Sequence, residues 1–424
     1  MRLGKRIYHS LLFAARAHAH WEIETSRTIL QSKKRLAILF VLALPCILFS
    51  VALATNTMPE VLGGKHAYTP AFYTPSIFLV SILIGLAAGL ITGCIGAGGG
   101  FIITPALMSA GIKGILAVGT DLFHIFAKAI MGTTVHKKLG NVSVGLAFVF
   151  VLGSLIGVTG GGVLNRAIYE ANPVLSDTFI SLIYVFLLGF LGIYALMDFL
   201  RLRKSGSNVD AHGGGGETSK SGGKKPLPER LQSLHLPPNI TFDEDLTPGG
   251  KKISFLFVMI CGAIVGAVAA IMGVGGGFLT FPMFVYVLGV SSFTTVGTDI
   301  LQIIFTAGYA SITQYAIYGF IFYTLAMGML LGSLLGVQVG ALITKMVKGI
   351  YIRGFYATAI LAGFVNRLFA LPSKLNDMRV ISISDSMSYG LAQVGNWLFF
   401  VVISIFAIWV ISTFFKNIST LREE

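Results

Sequence analysis

Long uncharged apolar runs set the pattern of this chain: Ala71 to Ile112, Asn141 to Asn165, Ile253 to Thr298 and Ile300 to Thr344. Each is long enough for one or two helices of about 20 residues crossing a bilayer. Leu, Ile, Val, Phe and Gly fill all sides of these runs, without the alternation of a membrane β-barrel strand. The pattern predicts an all-α polytopic membrane protein.

Two runs are interrupted in the same way, by Gly96-Ala97-Gly98-Gly99-Gly100-Phe101 and by Gly273-Val274-Gly275-Gly276-Gly277-Phe278. A proline, Pro105 or Pro282, follows five residues after the last glycine. Glycine and proline break helices, and a break inside a bilayer frees backbone groups that lipid cannot satisfy, so it is tolerated where it lines a polar cavity. Pro105 and Pro282 are expected to mark the helix breaks and to restart short helices.

The interruption belongs to a longer repeat. Val118-Gly119-Thr120-Asp121 matches Val296-Gly297-Thr298-Asp299, and Gly153-Ser154-Leu155-Ile156-Gly157-Val158 matches Gly332-Ser333-Leu334-Leu335-Gly336-Val337, in the same order and at nearly the same spacing. A first block over 76–200 and a second over 253–371 each read as five segments. These are a span ending at the glycines, a short helix, a span carrying the Thr-Asp pair, a small-residue span and a closing span. Because five is odd, the second block is predicted to enter from the opposite side, giving two inverted-topology repeats. Around them lie a basic segment at 1–35 on the cytoplasmic surface, an extra span at 36–55, a linker at 201–252 and a last span at 394–415. Ala52-Leu53-Ala54 resembles a signal-peptidase site, but the length of the apolar segment before it favours an uncleaved anchor. The linker holds Gly213-Gly214-Gly215-Gly216 and many basic residues and is expected to be a flexible cytoplasmic loop.

Composition sharpens this reading. Of 424 residues 54% are hydrophobic and 12% charged, about half the charged share of a soluble protein. The net charge of +13 would suit nucleic acid, but the Lys and Arg sit mostly in loops beside spans, so no nucleic-acid partner is expected. Residues 1–35, Lys137, Lys138, the linker, Lys345, Lys348, Arg353, Lys416 and Arg422 fall on one side, and only Lys65, Lys113, Arg166, Lys374 and Arg379 on the other. The positive-inside rule then puts both termini and the linker in the cytoplasm, across a bacterial inner membrane. Cys46, Cys94 and Cys261 lie in apolar segments without metal-ligand spacing and read as packing residues. No His-Glu-x-x-His and no nucleophile motif occurs, so no catalytic residue, metal or cofactor is expected and the chain does not read as an enzyme.

Backbone N–H groups at Gly98, Gly99, Gly100 and Phe101, and at Gly275, Gly276, Gly277 and Phe278, should open the short helices without intrahelical partners. Helix N-termini carry partial positive charge, so two of them meeting near the midplane would cradle a small anionic substrate, with Thr120 and Thr298 beside them. The bland alternative is close helix packing, which three consecutive glycines exceed. Asp121 lies seven residues past the expected start of its span at Gly114, roughly 10 Å into the membrane core. His124 and Lys128 share its helical face. Charges at that depth are costly unless paired or facing water. Lys128 is therefore a candidate counter-charge for the anion, and Asp121 and His124 are candidates for coupling a proton or another cation. A cluster that merely holds helices together is the alternative. In the second block Asp299, Gln302 and Thr306 stand at the corresponding positions, so the carboxylate keeps no cation and is expected to pair with Arg367 or carry a proton. His136 is a further candidate for the relay. Glycines four apart, at Gly153 and Gly157 and at Gly332 and Gly336, read as packing.

At these residues the chain resembles the TauE/SafE family of sulfite and organosulfonate exporters, whose duplicated glycine cluster with its proline, Gly-Thr pair and small-residue span stand in both halves over about 76–371. The resemblance implies an inner-membrane secondary transporter moving a small sulfur oxyanion, sulfonate or related organic anion outward. Many members carry Ser after the Gly-Thr pair, where this chain has Asp121 and Asp299, which leaves substrate and coupling ion open. The expected function is export of a small anion by alternating access, coupled to a proton or another cation. A passive anion channel and a membrane scaffold or sensor acting through its basic segments are the alternatives; a homo-oligomer is left open.

Overall fold

The computed structural model describes residues 75–95, 99–138, 142–205, 227–234, 236–243, 250–275, 277–344, 347 and 349–416. The segments 1–35 and 36–55, the Gly213 to Gly216 stretch, Gly98 and Gly276 lie outside the described residues, as does the side chain of His136. The chain divides into two units after Lys65, and all of the described residues belong to the second, His66–Glu424.

Apolar runs punctuated by glycine give five helical segments in the first block: α1 (Pro75–Ile95), short α2 (Gly100–Ser109), α3 (Gly114–Lys138), α4 (Val144–Ala171) and α5 (Pro173–Ser205). The linker then contributes α6 (Leu227–Ser233) and strands β1 (Asn239–Phe242) and β2 (Lys251–Ser254). In the second block α7 (Phe255–Met272) precedes α8 (Gly277–Pro282), which continues as a π-helical turn over Met283–Leu288. Next come α9 (Ser292–Tyr309), continued as a π-helical turn over Ala310–Ala316, then α10 (Tyr323–Thr344) and α11 (Gly349–Asp377), with α12 (Asp385–Lys416) as the last span. Among the described residues six helices, α4, α5, α7, α10, α11 and α12, are long and apolar enough to cross a membrane. Phe186, Phe190, Leu335 and Trp397 stand exposed on their outer faces, as suits helices surrounded by lipid.

The blocks interlock reciprocally through small residues. Added Cβ atoms at Gly332, Gly336 and Gly340 on α10 would strike the carbonyl oxygens of Ile82, Leu86 and Leu90 on α1. The same happens between Gly153, Gly157 and Gly161 on α4 and Met259, Ala263 and Ala267 on α7. Residue numbers rise together in both pairs, so each pair runs parallel, with backbones close enough for dispersion to act where no hydrophobic effect operates between helices. The packing reading of Gly153, Gly157, Gly332 and Gly336 matches this placement. Their partners across the contact, Gly85 and Gly89 on α1 and Gly262 and Gly266 on α7, carry the same four-residue spacing. The closing helices differ in direction. Asp177 meets Lys374 at 3.1 Å and Asp198 meets Arg353 at 3.1 Å, which places the start of α5 beside the end of α11 and sets the two antiparallel. Gly336→Leu should therefore cost about 1–3 kcal/mol or more by overpacking against the Leu86 backbone. A lower unfolding temperature in detergent measures it, and an unchanged one would contradict the packing.

The described part of the linker beyond Leu227 departs from the flexible loop expected of it. Strands β1 and β2 pair antiparallel, Asn239 with Ser254 and Phe242 with Lys251, and Phe242 and Ile253 pack with Phe150, Phe284, Leu288 and Val290. Gln232 Nε2 donates to the Leu288 carbonyl at 2.8 Å and Lys251 Nζ to the Gly289 carbonyl at 3.1 Å. Asp243 accepts from Ser291 N at 2.9 Å and from Ser291 Oγ at 2.7 Å. The physical reason is the alternation Asn239, Ile240, Thr241, Phe242: one apolar face of a short strand is enough to dock this segment on α4 of the first block and on the neighbouring residues of the second.

Candidate functional site

Left-handed backbone marks both breaks. Gly99 has φ 73° and Gly273 φ 81°, a conformation that costs glycine nothing. Helices restart at Gly100 and Gly277, and Pro105 and Pro282 stand at the sixth position of α2 and α8. This corrects the expectation that the prolines restart the helices: the glycines make the break, while each proline lies within the helix and withholds the N–H that a carbonyl four residues earlier would use. Beyond Pro282 the helix widens into its π turn.

The two breaks touch. A Cβ added to Gly100 would lie 2.9 Å from Val274 Cα, and one added to Gly273 would lie 2.8 Å from Val118 Cα and from Thr104 Oγ1. Phe101 stacks on Phe278 with centroids 5.1 Å apart, and Tyr356 meets Phe101 edge-on at 5.7 Å. Gly100, Phe101, Gly275, Gly277 and Phe278 are thus brought together at the centre of the bundle, while Gly98 and Gly276 are not described. Close approach is part of what these glycines do, since Ile125 would obstruct a side chain at Gly100 and at Gly275 alike.

Backbone freed at the second break is satisfied by tyrosines that sequence reasoning misses. Tyr184 donates to the Met272 carbonyl at 2.6 Å, and Tyr315 donates to the Ala270 carbonyl while accepting from Asn165 Nδ2 at 3.0 Å. Nothing in a single sequence separates such a tyrosine from any other buried aromatic with a polar tip.

Each Thr-Asp pair splits between two tasks. Thr120 Oγ1 accepts from Phe322 N at 2.9 Å and Thr298 Oγ1 from Ser143 N at 3.0 Å. Both threonines therefore hold the approach to the other block's small-residue helix, a structural use of groups expected to face substrate. Asp121 and His124 are fully buried on α3. Asp121 Oδ2 accepts from Thr104 Oγ1 at 3.0 Å, and His124 Nε2 lies 2.9 Å from Ser333 Oγ on α10. Lys128 Nζ donates to Thr92 Oγ1 at 3.1 Å, and Thr92 is the side chain that a Cβ on Gly99 would meet. The ammonium thus reaches the first break through one hydroxyl.

In the second block Gln302 Nε2 donates to Asp299 Oδ1 at 2.9 Å and to Thr280 Oγ1 at 3.2 Å. Thr306 donates to Gln302 Oε1 at 2.7 Å and pairs with Ser154 on α4 at 2.7 Å. Asp299 is therefore held through Gln302 of its own helix, which also reaches α8, and Arg367 is not its partner. That expectation fails because Arg367, buried on α11, donates to Asn366 Oδ1 at 2.7 Å, to Ser109 Oγ at 2.7 Å and to the Pro105 carbonyl at 3.2 Å. A guanidinium there faces the C-terminal turn of α2, where the helix dipole favours a cation.

Apolar outer faces, reciprocal helix pairs and two broken helices meeting at a buried polar centre define a polytopic helical membrane protein. The sequence pattern of the sulfite exporter TauE/SafE family matches residues 81–367, more than half of the chain, and the chain belongs to that family. It is a family of membrane transporters, not of enzymes. A probable membrane transporter protein of Bacillus subtilis (strain 168), YjnA, is 26% identical over 260 residues, 61% of this chain and 87% of that protein. A second from the same organism, YunE, is 23% identical over 279 residues, 64% of this chain and 90% of that protein. No solved structure matches.

Proposed function

We propose that this transporter exports a small anion, such as sulfite or a sulfonate, across the bacterial inner membrane by alternating access, coupled to a proton or another cation. One observation carries the reading: the two breaks abut at Gly100 and Val274, with the Lys128 ammonium tied to the first break through Thr92. Helix N-termini and a cation at one place favour negative charge. The anion binds the backbone amides around Gly98 to Phe101 and Gly275 to Phe278, with Lys128 as counter-charge and Asp121, His124, Asp299 and Gln302 as the coupling groups.

The two blocks are inverted repeats. The parallel pairs α1 with α10 and α4 with α7, and the antiparallel pair α5 with α11, support this, because together they make the equivalent helices α1 and α7 run in opposite directions. α2 then returns toward Lys113 and α8 toward the linker, from opposite sides, which agrees with a positive-inside placement of the linker and both termini in the cytoplasm. The stacked Phe101 and Phe278 close the centre, and they part as one side opens.

Reconstituted liposomes test the proposal. Sulfite or a small sulfonate should move with saturation and counterflow, and an imposed pH gradient should alter the flux. Saturation-free flux without counterflow would make the protein a channel, and absence of flux for both compounds would overturn the substrate class.

A further inference from the structure

Asp121 and His124 present an unusual pair of atoms to each other. Both side chains are wholly buried, Asp121 Oδ1 and His124 Nδ1 lie 3.8 Å apart, and neither atom has a hydrogen-bond partner. Their other atoms are committed. Asp121 Oδ2 accepts from Thr104, and the single hydrogen of the Ser333 hydroxyl reaches the Leu330 carbonyl at 3.2 Å. That pattern assigns the hydrogen between His124 and Ser333 to His124 Nε2. A neutral imidazole so used has only a lone pair at Nδ1, so two acceptors face each other in a buried site. Leaving buried acceptors unmatched is costly, and one proton would serve both.

The second block answers the same need differently. There Gln302 stands where His124 does, and its amide N–H reaches Asp299 Oδ1 at 2.9 Å. On its far side the amide oxygen receives Thr306, which joins Ser154 on α4, just as His124 joins Ser333 on α10. Each carboxylate thus stands beside a group that reaches the opposite block's small-residue helix, His124 in one case and Gln302 with Thr306 in the other. In the second block the hydrogen beside the carboxylate is permanently attached to nitrogen, and in the first it must come from solution.

The geometry points to a proton-binding site confined to the first block, with one exchangeable proton held between Asp121 Oδ1 and His124 Nδ1 and no equivalent at Asp299. This deepens the proposed function and rests on it only for the word coupling: the proton is the coupling ion, and of the four coupling groups named there Asp121 and His124 hold it while Asp299 and Gln302 do not. The proton takes the Nδ1 lone pair to form an imidazolium, which then donates to the carboxylate; nothing is oxidised or reduced. Other groups around the pair are Lys128 on α3 itself and Tyr184 of α5, whose hydroxyl donates to the Met272 carbonyl. α2 carries no titratable side chain. α1 carries Cys94, aimed at the Gly340 carbonyl, and α10 carries Tyr323, stacked edge-on against Phe123. α9, also packed on α3, brings Asp299, already closed by Gln302.

Infrared difference spectra of the full-length protein in liposomes, recorded between mildly acidic and mildly alkaline pH, test this without any substrate. Wild type should give a coupled carboxylate and imidazole signal. Asp121→Asn and His124→Gln should each abolish it, and Asp299→Asn should leave it in place. Ser333→Ala, which leaves the pair intact but releases Nε2, should move its midpoint, and this variant decides the matter if His124→Gln does not fold. No signal in wild type, a signal that survives His124→Gln, or one lost in Asp299→Asn would each overturn the site. Sulfite flux measured on the same liposomes separates the two ideas: a signal that follows these rules without sulfite flux upholds the proton site and removes the anion reading.

Discussion

Gly99→Leu is expected to abolish anion flux in reconstituted liposomes, and to do so from a position where no side chain could serve the substrate. The backbone there has φ 73°, which costs a residue with a Cβ about 1–2 kcal/mol. The added carbon would stand 2.8 Å from the Ala88 carbonyl oxygen and 2.8 Å from Thr92 Oγ1. Backbone cannot retreat cheaply, and overpacking of this kind costs about 1–3 kcal/mol more. The strain is relieved either by drawing α2 away from α1, which spoils the meeting of the breaks, or by displacing Thr92, which carries Lys128. Both routes disable the proposed site. Gly111→Ala is the control, since Gly111 has φ 91° and nothing within 4 Å of an added Cβ; it bears the backbone strain alone and should keep its flux. Equal loss in both variants, or full flux in Gly99→Leu, would detach the first break from transport.

Particular residues show why some of this is legible in the sequence. The blocks, their five segments and the start of α3 at Gly114 follow from apolar length and a repeated order of motifs, both local properties of the chain. The small-residue contacts of Gly153 and Gly332 follow from a spacing of four, and the same rule applied to Gly85 and Gly262 finds their partners. The sharing of a face by Asp121, His124 and Lys128 is helix geometry alone. Partners across the bundle are another matter. Charge matches Asp299 to Arg367, but charge says nothing of distance, and Arg367 serves the end of α2 with Ser109 and Asn366. Thr120 and Thr298 read as ligands beside the two helix N-termini; their hydroxyls are spent on amides near the start of α10 and α4, a need visible only once segments from both blocks are side by side. The ribbon at Asn239 to Ser254 is masked by its polar neighbours, so composition over fifty residues outweighs an alternation four residues long.

Lys128→Met separates a substrate-binding role from helix glue. Met has a similar length and lacks the charge, and an ammonium inside a bundle costs free energy that its partners must offset. Removing it leaves no stranded donor: Thr92 Oγ1 still gives its own hydrogen to the Ala88 carbonyl at 2.7 Å. Unfolding temperature in detergent should therefore hold or rise. Flux should fall, because a hydrogen bond from a cation contributes about 1.5–3 kcal/mol, and at 1.4 kcal/mol per decade that is roughly tenfold to a hundredfold in affinity for the anion. The opposite pair of results, a lower unfolding temperature with flux retained, would mean that Lys128 binds α3 to α1 and that the anion is held by backbone amides alone. Lys128→Arg refines the outcome. It keeps the charge but puts a larger planar group against Thr92 beside a break that already excludes a Cβ at Gly99, so it should recover less than about half of the lost flux if position matters as much as charge.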